Sequence, residues 1–278
     1  MSAEELERVI DEILSSRKYA HVSPEVVRRV AADALSAASG FRDAVKRARR
    51  KLHQAHGAFG AQVDHRRIEV LVASLEARPA ESRDSRLEAA RPPSREILSF
   101  HASTAERLDH MEELYAVVFG GGAEAAGLRR ILDLGCGLNP FAIPWMGLPP
   151  GAEYHAVDLD TRLAGLIGRY LAALAQAGRA TVGDALGGLL PAGPWDVVLL
   201  LKLLPTLERQ ERGAAKRLLA SLDARRIVVS FPRASLGGRR KGMDDRYRSF
   251  VAELIQGARL QAEARELPGE TVYVCARS

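Results

Sequence analysis

With 278 residues, 47% hydrophobic and 27% charged, the chain has material for one large domain, or a main and a smaller one, around a sizeable core. No apolar run reaches the roughly 18 residues needed to cross a bilayer, and the acidic start Met-Ser-Ala-Glu-Glu-Leu-Glu is unlike a signal peptide, so a cytoplasmic protein without membrane contact is expected. A net charge of +5 and a sequence pI near 9.4 favour an anionic partner such as nucleic acid, while Cys136 and Cys275 alone exclude a disulfide framework or a zinc site.

In the N-terminal third, apolar residues recur at helical spacing. Leu6, Val9, Ile10, Ile13 and Leu14 predict a helix over 3–14. Ser23-Pro24-Glu25 predicts the start of a second, with an N-cap serine and a proline in its first turn. That helix carries Val26, Val27, Val30, Ala34 and Leu35, and Gly40 ends it. A basic helix is expected over 41–56 and another over 64–76, the latter turning Ile68, Leu71, Val72 and Leu75 inward. Residues 78–95, rich in Arg, Ser, Glu and Pro and containing Pro92-Pro93, read as a loop or linker. A small all-helical domain over residues 1–92 is therefore expected. Its charge is uneven: Arg42, Lys46, Arg47, Arg49, Arg50, Lys51, Arg66 and Arg67 face only Asp43 and Asp64 over the same span. A second basic cluster holds Arg233, Arg239, Arg240 and Lys241. Either cluster alone fits a solvated face as well as it fits a nucleic-acid contact.

A helix over 103–119 leads to Gly120-Gly121-Gly122. Beyond Leu128 short apolar runs alternate with helical patterns, the signature of a parallel α/β sheet. Strands are expected near 129–134, 153–157, 179–182, 195–201 and 226–231, with helices near 160–176, 207–221 and 243–258. Two last strands, 260–266 and 271–276, are joined by Pro268-Gly269. Five parallel strands finishing in an antiparallel pair is the plan of the Rossmann-like class I methyltransferases. The expected fold is thus α/β, a seven-stranded, mostly parallel sheet over residues 93–278 behind the helical domain.

The chemistry gathers at three consecutive strand ends. Ile131-Leu132-Asp133-Leu134 ends the first strand, and Gly135-Cys136-Gly137 makes a tight turn against which a ligand can lie on bare backbone. Pro140 stands where the third glycine of a dinucleotide fingerprint belongs, so the turn does not suit NAD. Asp158 ends the second strand about twenty residues on, where an acid accepts hydrogen bonds from both hydroxyls of a ribose. Asp184 ends the third strand and suits the exocyclic amine of adenine, with the next backbone amide reading a ring nitrogen. Each acid taken singly is also an ordinary cap or turn residue. Together, in this order, they describe an S-adenosylmethionine pocket. Cys136 reads as a small reduced packing residue. Lys202 and Glu208 lie beside the end of the fourth strand, where a substrate enters, though Glu208 equally suits a helix N-terminus. Phe231, in Ser230-Phe231-Pro232, ends the fifth strand and offers a stacking surface to a planar substrate.

Five segments carry a more specific resemblance: Ser-Ser-Arg-Lys-Tyr-Ala-His-Val-Ser-Pro (15–24), His-Ala-Ser-Thr-Ala-Glu-Arg (101–107), Leu-Asp-Leu-Gly-Cys-Gly-Leu-Asn-Pro (132–140), Leu-Leu-Lys-Leu-Leu-Pro-Thr-Leu-Glu-Arg-Gln (200–210) and Ser-Phe-Pro-Arg-Ala-Ser-Leu-Gly-Gly-Arg (230–239). From about Ser15 onwards the chain resembles the aminoglycoside-resistance methyltransferases of 16S rRNA that modify N7 of guanine-1405. The resemblance implies a cofactor pocket that includes His101, Ala102, Ser103 and Arg107, with Arg107 gripping the methionine carboxylate. It implies Gly135 beneath the cofactor, Asp158 at the ribose, Asp184 and Ala185 at the adenine, Leu201 and Gln210 at the methionine end, and Phe59 as a cover. It departs in one place, since Arg233 comes one position early and Ala234 takes the basic position before Ser-Leu, which leaves Arg239 as a substitute on the RNA.

The implied partner is 16S rRNA within the 30S subunit, approached by a monomer. Arg17, Lys18, Arg47, Arg50, Arg66 and Arg67 would contact phosphates and read shape rather than sequence. Guanine N7 has a lone pair and no proton, so no acid or base residue is assigned. A flipped-out target base is expected because N7 is hard to reach within a folded rRNA helix. Rival functions are an adenine-1408 N1 methyltransferase, a small-molecule methyltransferase whose helical cap encloses its substrate, and a non-catalytic rRNA-binding or assembly factor. The Arg-Lys-Tyr and Ser-Phe-Pro segments argue against the first, and the two basic clusters against the second. The third need not keep Arg107, Asp158 and Asp184 together.

Overall fold

The computed structural model describes residues 2–54, 63–79, 82–120, 123–187, 190–233 and 243–277. Three helices open the chain: α1 (Ala3–Leu14), α2 (Pro24–Ser36) and α3 (Phe41–Leu52). Their apolar stripes meet in one cluster, where Val9, Ile10 and Ile13 join Val26, Val27 and Val30 and Ala44, Val45, Ala48 and Leu52. Ser2 and Glu5 form a capping box on α1, while Pro24 opens α2 with no side-chain bond from Ser23. Next come α4 (His65–Glu76) and α5 (Arg83–Ser99).

Helix α5 corrects the linker expected over 78–95, since Pro92 and Pro93 lie inside it. Each proline removes one amide donor and should break a helix. Tertiary packing outweighs that cost here. Ala90, Ser94, Ile97 and Leu98 are buried, and the Ser94 and Tyr170 hydroxyls meet at 2.6 Å. Arg86 donates to the Ala173 carbonyl and Arg83 to Gln176. Residues of α4 and α5 belong to the same apolar cluster as the sheet, separate from that of α1 to α3, and the expected boundary at 92/93 falls within α5.

The expected helix over 103–119 is two pieces, α6 (Ala102–Ala105) and α7 (Met111–Phe119), followed by α8 (Ala123–Ala126). The sheet contains β1 (Arg130–Leu134), β2 (Glu153–Asp158), β3 (Gly178–Val182), β4 (Trp195–Leu201), β5 (Ala224–Pro232), β6 (Leu260–Leu267) and β7 (Glu270–Arg277). Between strands run a 3-10 turn (Asn139–Ala142), α9 (Ile143–Met146), α10 (Thr161–Ala173), α11 (Leu204–Gln210), α12 (Ala214–Ser221) and α13 (Met243–Ala258). The helix expected over 207–221 is thus broken at Gly213, which adopts φ +81°.

Strand order is β3-β2-β1-β4-β5-β7-β6, with β1 to β5 parallel and β7 antiparallel to both its neighbours. This is the expected class I methyltransferase plan, and each strand begins and ends within a few residues of its expected place. Successive side chains alternate between two cores. Ile131, Val197 and Leu199 face one, whereas Leu132, Leu134, Val198 and Leu200 face the other. Strand β6 is an edge whose exposed Glu263, Arg265 and Glu266 discourage further pairing. The chain runs outward from β1 to β3 and then returns to β4, so the direction reverses between β1 and β4. A crevice opens at the carboxyl ends of the strands at such a reversal. No helix among the described residues is long and apolar enough to cross a membrane.

Candidate active site

A cleft with an open mouth sits at that reversal, lined by residues that follow β1, β2, β3 and β4. The ends of β1 to β4 supply its floor. Gly135 turns with φ +60°, and a Cβ built on it would lie 2.7 Å from the Leu203 side chain, so only glycine leaves the floor flat. The Gly137 amide donates to Asp158 Oδ2 at 2.9 Å and the Asp160 amide to Asp158 Oδ1 at 3.0 Å. The first glycine turn and the second strand end are thereby locked to one another.

Of the residues expected to hold cofactor, His101, Ser103, Arg107, Gly135, Asp158, Asp184, Ala185, Leu201 and Gln210 all line this cleft. Ala102 is exposed and is not among the walls, where Thr104 stands instead. Phe59 lies outside the described residues. His101 is both a wall and a helix cap, because its Nδ1 accepts the Ser103 amide at 3.2 Å.

Arg107 differs from expectation in a way the sequence did not show. Its Nε and Nη2 grip Glu270 at 2.6 and 2.7 Å, and its Nη1 makes a long 3.5 Å contact with Asn139. Glu270 opens β7 and is fully buried, and Arg107 is 3% exposed. Burial alone would raise the Glu270 carboxyl, but the Arg107 charge and its hydrogen bonds hold it down at about 2. A residue 163 positions away thus fixes Arg107, and no local pattern around Glu270 announces it.

A second buried network continues beneath the glycine turn. Asp133 accepts from the Tyr154 hydroxyl at 2.5 Å and from Asn139 Nδ2 at 2.9 Å, and Asn139 Oδ1 accepts from Tyr115. Burial pushes the Asp133 carboxyl up to about 6, with its two hydrogen bonds acting in the opposite direction. Burial also pushes the Cys136 thiol well up, which removes it as a nucleophile.

The residues expected around the substrate base divide. Lys202 lines the cleft with φ +58°, and its Nζ pairs with Glu106. Two other expectations are corrected, and Glu208 takes the helix-terminus role that was its alternative. Glu208 accepts the amides of Gly213 and Ala215 at 2.6 and 3.3 Å, capping α12 instead of facing the cleft. Phe231 is 1% exposed in the core, edge-on to the Phe250 and Tyr273 rings, and so presents no stacking surface. Arg233 is bent to Glu266 on β6, 3.3 Å away, and is not a wall of the cleft. Arg239 lies outside the described residues.

The helical part closes the cleft from residues the sequence had not singled out. Val63 and His65 are walls, and His65 Nε2 lies 3.4 Å from Asp160 Oδ2. Of the basic residues expected on phosphates, Arg17, Lys18, Arg50, Arg66 and Arg67 are exposed and Arg47 is half-buried. Lys18 Nζ meets His53 Nδ1 at 3.0 Å and the Tyr19 hydroxyl donates to the Arg49 carbonyl, which seats the 17–19 turn at the basic end of α3. Arg47 pairs with Asp43, and Arg67 pairs with both oxygens of Glu96.

Comparison with known proteins fits this geometry. Residues 15–273 match the family model described as ribosomal RNA methyltransferase (FmrO). A 16S rRNA (guanine(1405)-N(7))-methyltransferase of Micromonospora echinospora is 39% identical over 270 residues, 97% of this chain and 96% of that protein. One of Serratia marcescens is 34% identical over 238 residues, 86% and 85% of the two. Among solved structures, the 16S rRNA methyltransferase RmtF in complex with S-adenosyl-L-homocysteine superposes with a TM-score of 0.82 at 32% identity, covering 100% of both chains. The 16S rRNA methylase RmtB gives 0.76 at 28%, covering 98% of each. The chain belongs to the ribosomal RNA methyltransferase family.

Proposed function

We infer that the protein transfers the methyl group of S-adenosylmethionine to N7 of guanine-1405 in 16S rRNA, the reaction named for its relatives. The observation that carries this is the convergence of Gly135, Asp158, Asp184 and Arg107 in one cleft at the sheet's reversal, within a chain of that family.

The residues present fit the cofactor. Gly135 leaves flat backbone, and Asp158 and Asp184 supply carboxylates at the two places where a ribose and an adenine need acceptors. Arg107, turned by Glu270, keeps Nη1 for a carboxylate. When bound, S-adenosylmethionine supplies an electrophilic methyl on a sulfonium. The chain's own task is to hold that methyl in line with the base and to keep water away. Guanine N7 attacks with its lone pair, so no protein group takes or gives a proton. Lys202, Leu203 and Thr206 stand at the β4 end where the base enters.

The helical face carrying Arg17, Lys18, Arg47, Arg50, Arg66 and Arg67 docks on phosphates of the assembled 30S subunit, with one chain acting as a monomer in the cytoplasm. Its exposed guanidinium and ammonium groups support this reading, because phosphate contacts need charge rather than fixed geometry. As the family resemblance implies, a methyl and a positive charge on N7 obstruct aminoglycosides at their site. Incubating 30S subunits with protein and labelled cofactor, then treating the rRNA with borohydride and aniline, tests the reaction. Strand scission at guanine-1405 is expected, whereas label without scission rules out N7 as the acceptor.

A further inference from the structure

The helical part and the cofactor cleft meet at the two loops that follow β2 and β3. The Ser23 amide donates to the Leu159 carbonyl at 2.9 Å, and the Thr161 amide to the His21 carbonyl at 2.8 Å. Val22 and Asp160 form an isolated antiparallel bridge, and Leu159 packs against the apolar cluster of α1 to α3. Further along α2, Arg29 places Nε at 2.7 Å and Nη2 at 2.6 Å from Asp184 Oδ2. The two side chains are 26% and 14% exposed, so this pair is better shielded than Arg47–Asp43 or Arg67–Glu96. Leu159, Asp160, Asp184 and Ala185 are all walls of the cleft. Helix α2 therefore stands on the backbone and side chains that meet the ribose and adenine.

We propose that Arg29 is a positioning residue that couples cofactor binding at Asp184 to binding of the 30S subunit by the helical face. The second half of this rests on the assignment of that face to rRNA. Arg29 occupies Asp184 Oδ2, while Oδ1 takes the Leu186 amide at 2.9 Å and keeps a second lone pair, so a neutral adenine amine joins Arg29 on Asp184 instead of displacing it. Bound cofactor thus stiffens the 158–161 and 183–186 loops together with the α2 residues resting on them. Helix α2 shares its core with α3, whose basic end carries Arg47 and Arg50. A face fixed in advance loses less freedom on docking, which makes the coupling positive. Linkage then requires the 30S subunit to tighten cofactor binding by the same factor.

The test measures 30S affinity of the full chain with and without saturating S-adenosylhomocysteine, which binds without turnover. Roughly 5-fold or greater tightening is expected for the wild type, the lower end of usual site-to-site coupling, with almost none for Arg29→Ala and an intermediate value for Arg29→Lys. A purely structural role for Arg29 would change both affinities and leave their ratio intact. Equal wild-type affinities in the two conditions overturn the proposal, as does an undiminished ratio in Arg29→Ala. If Arg29→Ala fails to fold, Arg29→Lys and the reciprocal measurement, S-adenosylhomocysteine affinity of the wild type with and without 30S subunits, keep the proposal open to refutation. Failure of the face assignment looks different: Arg47→Ala and Arg50→Ala would then bind 30S normally whatever the cofactor ratio.

Discussion

The cleft and the helical face both carry charge, yet they hold it in opposite ways. In the cleft, Arg107 and Glu270 are buried against one another, Asp133 accepts from Tyr154 and Asn139, and Asp158 accepts two backbone amides. On the face, Arg17, Lys18 and Arg50 stand in solvent, and Arg47 and Arg67 pair with half-exposed acids. Buried partners are fixed in advance and feel little salt, which suits one small ligand held in one pose. Exposed pairs are worth little to stability and exchange readily for phosphates. On the proposed reading, one molecule recognises a cofactor by geometry and an rRNA by charge.

Substitutions can break that contrast, starting with the strongest. Glu270→Gln leaves Arg107 as a buried charge without its counter-ion and should cost about 3–5 kcal/mol of stability in urea denaturation; an unchanged midpoint would mean the pair holds nothing together. Asp158→Ala removes a carboxylate that ties two amides and, on the proposed reading, accepts from the ribose. With charge-assisted bonds worth about 1.5–3 kcal/mol each, S-adenosylhomocysteine affinity should fall on the order of 100-fold by calorimetry. The salt dependence of 30S binding should stay as it was. Arg50→Ala should do the reverse, weakening 30S binding a few-fold and lowering the logarithmic salt slope by about one, with cofactor affinity untouched. If instead Arg50→Ala weakens the cofactor and leaves the salt slope alone, the division between the two regions is wrong.

The buried side of the contrast also shows in pH. Asp133 is held at about 6 against an ordinary 3.8. Between those values the folded chain keeps a proton that the unfolded chain has released, so this group lowers stability as pH rises through the window and stays unfavourable above it. Asp133→Asn keeps an acceptor for Tyr154 and removes the ionisation. Its melting temperature relative to wild type should climb from pH 4 to pH 6 and then level off, and a constant difference would refute the raised value. Glu270, held at about 2 against 4.5, acts in the other direction: its contribution is complete above 4.5 and fades as pH falls towards 2.

The strands were legible because buried parallel strands read as unbroken apolar runs, as in Trp195–Leu201. The strand-end acids and the glycine turn were legible because their spacing follows from the sheet. Helix α5 was not, since Pro92-Pro93 breaks helices locally and packing against α4, α9 and the 3-10 turn, with bonds to α10, restores this one. Phe231 and Glu208 show a related blindness. Their sequence positions beside the cleft are right, but strand alternation turns Phe231 into the core and the amides of Gly213 and Ala215 draw Glu208 away. Glu270 and Arg29 went unseen for a third reason. Each acts on a residue more than 150 positions distant, and nothing in a linear pattern encodes such a meeting.

The grip of Glu270 on Arg107 also ties the last strand of the chain to the cleft. Strand β7 lies between β5 and β6 and is the neighbour through which β6 joins the sheet. Its first residue is the buried counter-ion of Arg107, itself a wall of the cleft. A truncation that removes β7 therefore reaches the cleft directly, by stranding a buried guanidinium there.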